Sequence, residues 1–252
     1  MSIRELIESW SRPRMATEAP SRDPQDLKAV NIAMVDELMR AMPHDEAMAV
    51  AIGGDWTFFG NLQVALLKHY GLPTDGYLVD VGCGSGRLAK PLATQHRGGY
   101  LGIDLVPALV ENARRITERP DWRFAVIDHI GIPERDATAN MVCFFSVLTH
   151  LLHEQSYWYL EEAHRVLKPA GRVVFSFLEF REPWHFKNTF KPTVEHIKTG
   201  ARAPLNVFLH RDILAIWAPE LGFDIVEIRG GGDVVVPEGN LGQALCVFQK
   251  RG

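Results

Sequence analysis

The stretch VDVGCGSGRLAK, residues 79–90, decides how the rest of the chain is read. An apolar run, 77–81, leads into it, and Leu88 and Leu92 leave it at helical spacing. The pattern is a strand that turns sharply into a helix. Such a turn leaves backbone N–H groups pointing at whatever lies in front of the helix. Gly82, Gly84 and Gly86 let a ligand approach the backbone and permit positive φ. The spacing then narrows the choice. A dinucleotide fingerprint, GxGxxG, would place a third glycine where Arg87 stands. A phosphate loop would continue into Gly-Lys-Ser/Thr, which is absent. Asp80, just before the turn, would repel a pyrophosphate and suits a ligand carrying a cation such as an α-amino group.

Outward from the turn, strand and helix alternate. Residues 100–105, 122–128, 141–147 and 172–179 read as further strands, with helices opened by Pro107 and over 154–167. Alternation of this kind predicts a parallel sheet covered on both faces. A helix within 208–223 precedes two last strands, 223–228 and 244–249, joined by a glycine-rich loop with no helix. That pair must be antiparallel, so the seven predicted strands end with one reversed. His164 shares the spacing of Tyr157, Leu160 and Leu167 and reads as a packed core histidine. Before the sheet the chain reads as helical. Ser2 and Glu5 form a capping box for a short amphipathic helix, 11–22 is a linker, Asp23–Pro24 opens a second helix, and 61–69 is a third. Residues 1–60 are expected to form an N-terminal cap and 61–252 the sheet domain, with 180–207 as an insertion of the size of a substrate lid.

The 252 residues carry a formal net charge of −4, which argues against a nucleic-acid partner. No apolar run approaches the ~18–20 residues that a membrane span needs, and the first residues lack a signal-peptide core. Three cysteines, Cys83, Cys143 and Cys246, show no pairing spacing, so reduced thiols and a cytoplasmic setting are expected.

Two more carboxylates follow the glycine turn. Asp104 ends the second strand, where an acidic residue typically receives ribose hydroxyls. Asp128 ends the third, where it can accept from an exocyclic amine of a base. With VDVGCGSGR, GIDL at 102–105, AVIDHI at 125–130, FFSVLTHL at 144–151 and RVLKPAGRVVFSFLE at 165–179, the chain resembles the class I S-adenosylmethionine-dependent methyltransferases. The resemblance covers about residues 60–250. Ala170 departs from it, standing where a second glycine is usual in the turn before the fifth strand.

The resemblance implies an α/β, Rossmann-like fold: a seven-stranded, mostly parallel sheet with a final antiparallel strand, helices on both faces, and the N-terminal helical cap. It implies S-adenosylmethionine as cofactor, S-adenosylhomocysteine as product and no metal. Gly82, Cys83, Gly84 and Gly86 would line its methionine part, with Asp80 facing the amino group. Asp104 and Leu105 would take the ribose, Asp128, His129 and Ile130 the adenine, and Phe145 and Ser146 would lie alongside. Cys83 reads as a small turn residue, since no base flanks it.

Methyl transfer needs the acceptor aligned and water excluded, and an oxygen or nitrogen acceptor also calls for a base. His150 and His153 follow the fourth strand and are the candidate bases. Trp56 and Phe59 before the sheet, and Trp184 and His185 in the insertion, are candidate acceptor contacts. A small-molecule acceptor is expected: sugar, lipid-linked, quinone-like or natural product. A cofactor-binding regulatory protein without turnover, and a nicotinamide-dependent oxidoreductase, remain as alternatives at this stage.

Overall fold

The computed structural model describes residues 24–200 and 205–252. The expected helix after Ser2, the linker 11–22 and the Asp23 cap lie outside the described residues. Three helices come first: α1 (Pro24–Ala41), α2 (His44–Ile52) and α3 (Trp56–His69). Helix α3 begins five residues before the predicted start at 61, because the Asp55 carboxylate accepts from the Phe58 N–H (2.8 Å) and caps it. It therefore runs through the expected cap boundary at residue 60.

The sheet strands are β1 (Leu78–Val81), β2 (Tyr100–Asp104), β3 (Arg123–Val126), β4 (Ala139–Phe144), β5 (Leu167–Phe177), β6 (Phe223–Arg229) and β7 (Ala244–Lys250). They form one seven-stranded sheet in the order β3-β2-β1-β4-β5-β7-β6. Neighbours from β3 to β5 are parallel. The reversed strand is β7, as expected, but it lies between β5 and β6 and pairs antiparallel with both. The sheet helices are α4 (Ala89–Ala93), α5 (Pro107–Thr117), α6 (His153–Val166) and α8 (Arg211–Glu220). The insertion is itself helical: a turn at Pro183–His185, a π-helical stretch at Phe186–Phe190, then α7 (Lys191–Lys198).

The central strands are apolar on both faces, as buried strands are. On one face Leu78, Tyr100, Cys143 and Val174 pack against Leu66 of α3, Leu92 of α4 and Val110 of α5. On the other Val79, Phe144, Phe175 and Phe248 pack against Leu160 of α6 and Leu214 of α8. Helices α1 and α2 build a separate cluster in which Val35, Leu38 and Met48 meet Val106 and Leu109 at the start of α5. This seats the cap on the carboxyl edge of the sheet, beside the glycine turn. Ala170, expected in the turn before the fifth strand, lies instead in the irregular first residues of β5 at the opposite, amino edge, where it takes φ +60°, the left-handed conformation that glycine adopts freely. Among the described residues no helix is long and apolar enough to cross a membrane.

Candidate active site at the carboxyl edge

The glycine turn is held by the strand beside it. Gly82 and Cys83 donate their N–H groups to the Ile103 carbonyl (2.8 and 3.0 Å), and Gly84 donates to Asp104 Oδ2 (2.9 Å). The donors that a pyrophosphate would need are thus already spent on a carbonyl and a carboxylate. Gly82 and Gly84 have φ of +75° and +52°, and a Cβ on either would stand 2.3 Å from Val147 Cγ2 or 2.9 Å from Ile52 Cγ2. Glycine is therefore required twice: for the backbone angle and because side chains from the β4 turn and from α2 lie on the loop. Neither neighbour was foreseen from sequence.

The cap is also tied to the turn by polar contacts. Trp56 Nε1 donates to Ser85 Oγ (3.3 Å), and Arg87 donates to the Gly53 carbonyl (2.8 Å) with its guanidinium over the Phe59 ring. Both predicted aromatic residues therefore stand at the glycine turn. Asn112 of α5 donates to the Ser85 carbonyl from the other side (2.8 Å).

The acidic residues fall into two kinds. Asp80 is buried and accepts from Tyr100 Oη (2.6 Å) and Cys143 Sγ (3.4 Å). Burial pushes its carboxyl up to about 6, against the pull of those hydrogen bonds, and nearby Asp104 adds to the rise. Asp104 is also raised by burial, although the N–H groups of Val106 and Gly84 favour its charged form. Its Oδ1 accepts from Val106 (3.0 Å), and Leu105 between them is half-buried. Two partly desolvated carboxylates side by side attract a cation and repel an anion. Asp128 differs. Strand β3 stops at Val126, so Asp128 and His129 stand beyond it, exposed and hydrogen-bonded to each other (3.0 Å). Ile130 is half-buried against the core, and the Ile132 N–H donates to Glu162 Oε2 (3.0 Å), which anchors this segment to α6.

The Asp80 shift has a measurable consequence. Its folded value exceeds the ordinary carboxylate value, so the unfolded chain ionises first as pH rises. The native state is therefore favoured below about pH 4, and that advantage is lost as pH climbs through 6. Ligand-free wild type should accordingly gain roughly 2–3 kcal/mol relative to Asp80→Asn between pH 7 and pH 4, measured by urea unfolding at both values. A difference that does not change with pH would show that the buried carboxyl carries no penalty.

After β4, Phe145 is buried and Ser146 takes φ +62°, a left-handed angle that costs a non-glycine residue roughly 1–2 kcal/mol. A 3₁₀ turn, Leu148–His150, leads to α6. His150 is half-buried with Nδ1 at 2.8 Å from the Leu205 carbonyl, and desolvation pushes its pKa down. His153 sits with Nε2 3.0 Å from the Phe208 carbonyl and its ring edge-on to Trp217. Both histidines thus grip the segment by which the insertion returns, which also donates from Val207 N to the Thr149 carbonyl (2.8 Å).

The two insertion residues part company. Trp184 is exposed, while His185 is buried with Nδ1 against the Glu179 backbone and Nε2 2.8 Å from the Gly242 carbonyl. Both of its ring nitrogens are engaged with backbone. Sequence reading also missed a pair beside it. Glu179, fully buried at the end of β5, accepts from Arg211 Nε and Nη2 (2.6 and 2.7 Å). Two open clefts lie at the opposite, amino edge, lined by residues such as His96 and Arg119 or Tyr77 and Arg123, remote from this chemistry. Among the described residues no group of three or more His, Cys, Asp or Glu could hold a metal ion.

Residues 78–171 match a family model described as a methyltransferase domain. The chain is 32% identical to a malonyl-[acyl-carrier protein] O-methyltransferase of Hahella chejuensis, over 47% of this chain and 44% of that protein. It is 31% identical to a ubiquinone biosynthesis O-methyltransferase of Methylocella silvestris, over 44% of this chain and 54% of that protein. The chain thus spans about half the length of these curated relatives. Among solved structures, the magnesium protoporphyrin IX methyltransferase of Synechocystis PCC 6803 with bound SAH superposes with a TM-score of 0.62 at 15% identity, covering 90% of this chain and 100% of that one. The [4+2]-cyclase SpnF superposes with a TM-score of 0.64 at 17% identity, covering 95% and 99%. These structural likenesses concern the fold. The family model begins where β1 begins and runs through the glycine turn and Asp104 into the start of β5, so residues 78–171 form a methyltransferase domain, the part of the chain that resembles the class I S-adenosylmethionine-dependent methyltransferases.

Proposed function

We propose that this protein transfers a methyl group from S-adenosylmethionine to an oxygen of a small-molecule acceptor. The observation that carries the proposal is the pair of strand-end carboxylates, buried Asp80 and half-buried Asp104, around a glycine turn whose own donors are already satisfied. That arrangement suits a cofactor with an ammonium and a sulfonium, and it opposes the pyrophosphate of a nicotinamide dinucleotide. Asp104 would take ribose hydroxyls with the lone pairs its backbone contacts leave free, and Asp80 would balance the amino group. Leu105 would flank the ribose, Asp128, His129 and Ile130 the adenine, and Cys83, Gly86, Phe145 and Ser146 would border the methionine end.

Bound there, S-adenosylmethionine would supply an activated methyl group for in-line displacement by the acceptor. The chain's own part is alignment and proton removal. His150 Nδ1 donates to the Leu205 carbonyl, which leaves Nε2 unprotonated and able to accept. Burial keeps the ring neutral below the usual histidine range, so it is a base at neutral pH. The cap residues Trp56 and Phe59, and the insertion with Trp184, would enclose the acceptor. An oxygen acceptor is favoured because both curated relatives above are named O-methyltransferases.

The test is calorimetric binding of S-adenosylhomocysteine, followed by methyl transfer from labelled S-adenosylmethionine to a panel of phenols, catechols and malonyl thioesters. Homocysteine-cofactor binding without any methylated product would favour a cofactor-binding role, and tight NAD binding in its place would overturn the reading. His150→Ala should lower kcat by roughly 10²–10⁴-fold. His150→Asn, whose side-chain amide can still donate to the Leu205 carbonyl, should be as inactive. Recovery of activity in the asparagine variant would reduce His150 to a latch on the returning segment.

A further inference from the structure

Where β4, β5 and β7 meet at the carboxyl edge, three polar side chains form a network, and of these the proposed cofactor site involves only Ser146. Ser146 Oγ donates to Gln243 Oε1 at 3.1 Å, and Ser176 Oγ donates to the same oxygen at 2.7 Å. The Ser176 hydroxyl has its direction set, because its oxygen already accepts from the Ser146 N–H at 2.7 Å. Ser146 is held at its left-handed φ of +62° while it makes both contacts. Strain of this kind survives where the surroundings impose it, and it gathers at functional sites.

The consequence is an oriented amide. With Oε1 held by two hydroxyl donors, the Gln243 NH₂ group must face away from the sheet edge. It has no hydrogen-bond partner among the described residues. It is not buried either, since Ser156 Oγ is the one buried side-chain polar atom there without a partner. On either side of Gln243 the wall is set. The Gly242 carbonyl is bound by His185, Leu241 packs against the sheet core, and a Cβ on Gly239 would touch the Phe58 ring. The charged pair at this edge, Glu179 with Arg211, neutralises itself. What remains is a neutral two-proton donor next to the turn that carries His150, on the same loop whose Gly239 lies against the Phe58 ring.

We infer that Gln243 is a specificity-determining residue that reads a carbonyl oxygen on an aromatic acceptor, with Ser146 and Ser176 as its positioning residues. The inference rests on the acceptor site proposed above and adds to it the chemistry recognised by the wall opposite the cofactor. A neutral amide matches a neutral carbonyl, because an anionic ligand group would draw an arginine or lysine instead.

The experiment titrates protein saturated with S-adenosylhomocysteine with 3,4-dihydroxyacetophenone and with 4-ethylcatechol, the same skeleton without the carbonyl. Wild type should bind the ketone about tenfold more tightly, the size expected of one neutral hydrogen bond. Gln243→Glu keeps an oxygen for both serine hydroxyls but has no N–H to offer, and should bring the two ligands within about twofold. Ser176→Ala, which frees the amide to turn, should narrow the gap while the melting temperature reports that the fold persists. Equal affinity of wild type for the two ligands, failure to bind either, or discrimination that survives in both variants would overturn the inference. Loss of S-adenosylhomocysteine binding by wild type itself would overturn the cofactor reading first, and this one with it.

Discussion

Asp104→Ala is expected to lose both stability and cofactor. The wild-type carboxylate accepts from Gly84 N and Val106 N, on opposite sides of the strand end. Alanine leaves both donors unpaired in a partly buried place, at about 1–3 kcal/mol each where water does not replace the acceptor. Unfolding free energy should fall by roughly 2–4 kcal/mol, read by urea denaturation. Affinity for S-adenosylhomocysteine should fall by roughly ten- to a hundredfold or more, since the proposed ribose contacts would vanish and the glycine turn would lose its tether. Asp104→Asn keeps one acceptor oxygen and should fall between. Unchanged affinity in the alanine variant, measured by calorimetry on protein shown to be folded, would sink the ribose assignment.

Arg211→Met is expected to be the most damaging single change outside the glycine turn. It leaves the fully buried Glu179 carboxylate without its bidentate partner. Removing one side of a buried pair typically costs about 3–5 kcal/mol, because the remaining charge stays desolvated. The double variant Glu179→Gln/Arg211→Met should recover most of that loss, since both charges then go together. A single variant within about 1 kcal/mol of wild type would show that the pair contributes little. The damage should reach the insertion, because the Glu179 backbone is also where the buried His185 is fastened.

The parts of this molecule written locally were legible from sequence. The glycine turn, the acidic ends of β1 and β2, and the reversed last strand all follow from spacing within a few residues. Helix α3 was placed five residues late although its Asp55 cap was readable, and α2 was not predicted as an element. Asp128 was expected at a strand end, whereas β3 stops short and leaves it in solvent. Nothing in 122–128 marks that end, because strand length here is set by pairing with β2.

The other misses are tertiary. His150 and His153 were recognised as following β4. Their grip on the carbonyls of Leu205 and Phe208 depends on how an insertion returns, 55 residues along the chain in each case. Gln243 gives no local signal at all. It gains a role only through Ser146 and Ser176, 97 and 67 residues away. Its meaning comes from β7 lying antiparallel beside β5, which brings the start of one strand to the end of the other.

The burial of the thiols has a use of its own. Cys83 lies in the glycine turn, Cys143 in β4 and Cys246 in β7, and burial pushes all three well above the ordinary thiol range. Thiolate is the reactive form, so the folded chain keeps its sulfur silent toward alkylating and oxidising reagents. Each cysteine speaks only when its own surroundings part. The molecule therefore carries built-in reporters of breathing at the glycine turn and at two strands inside the sheet, with no label added.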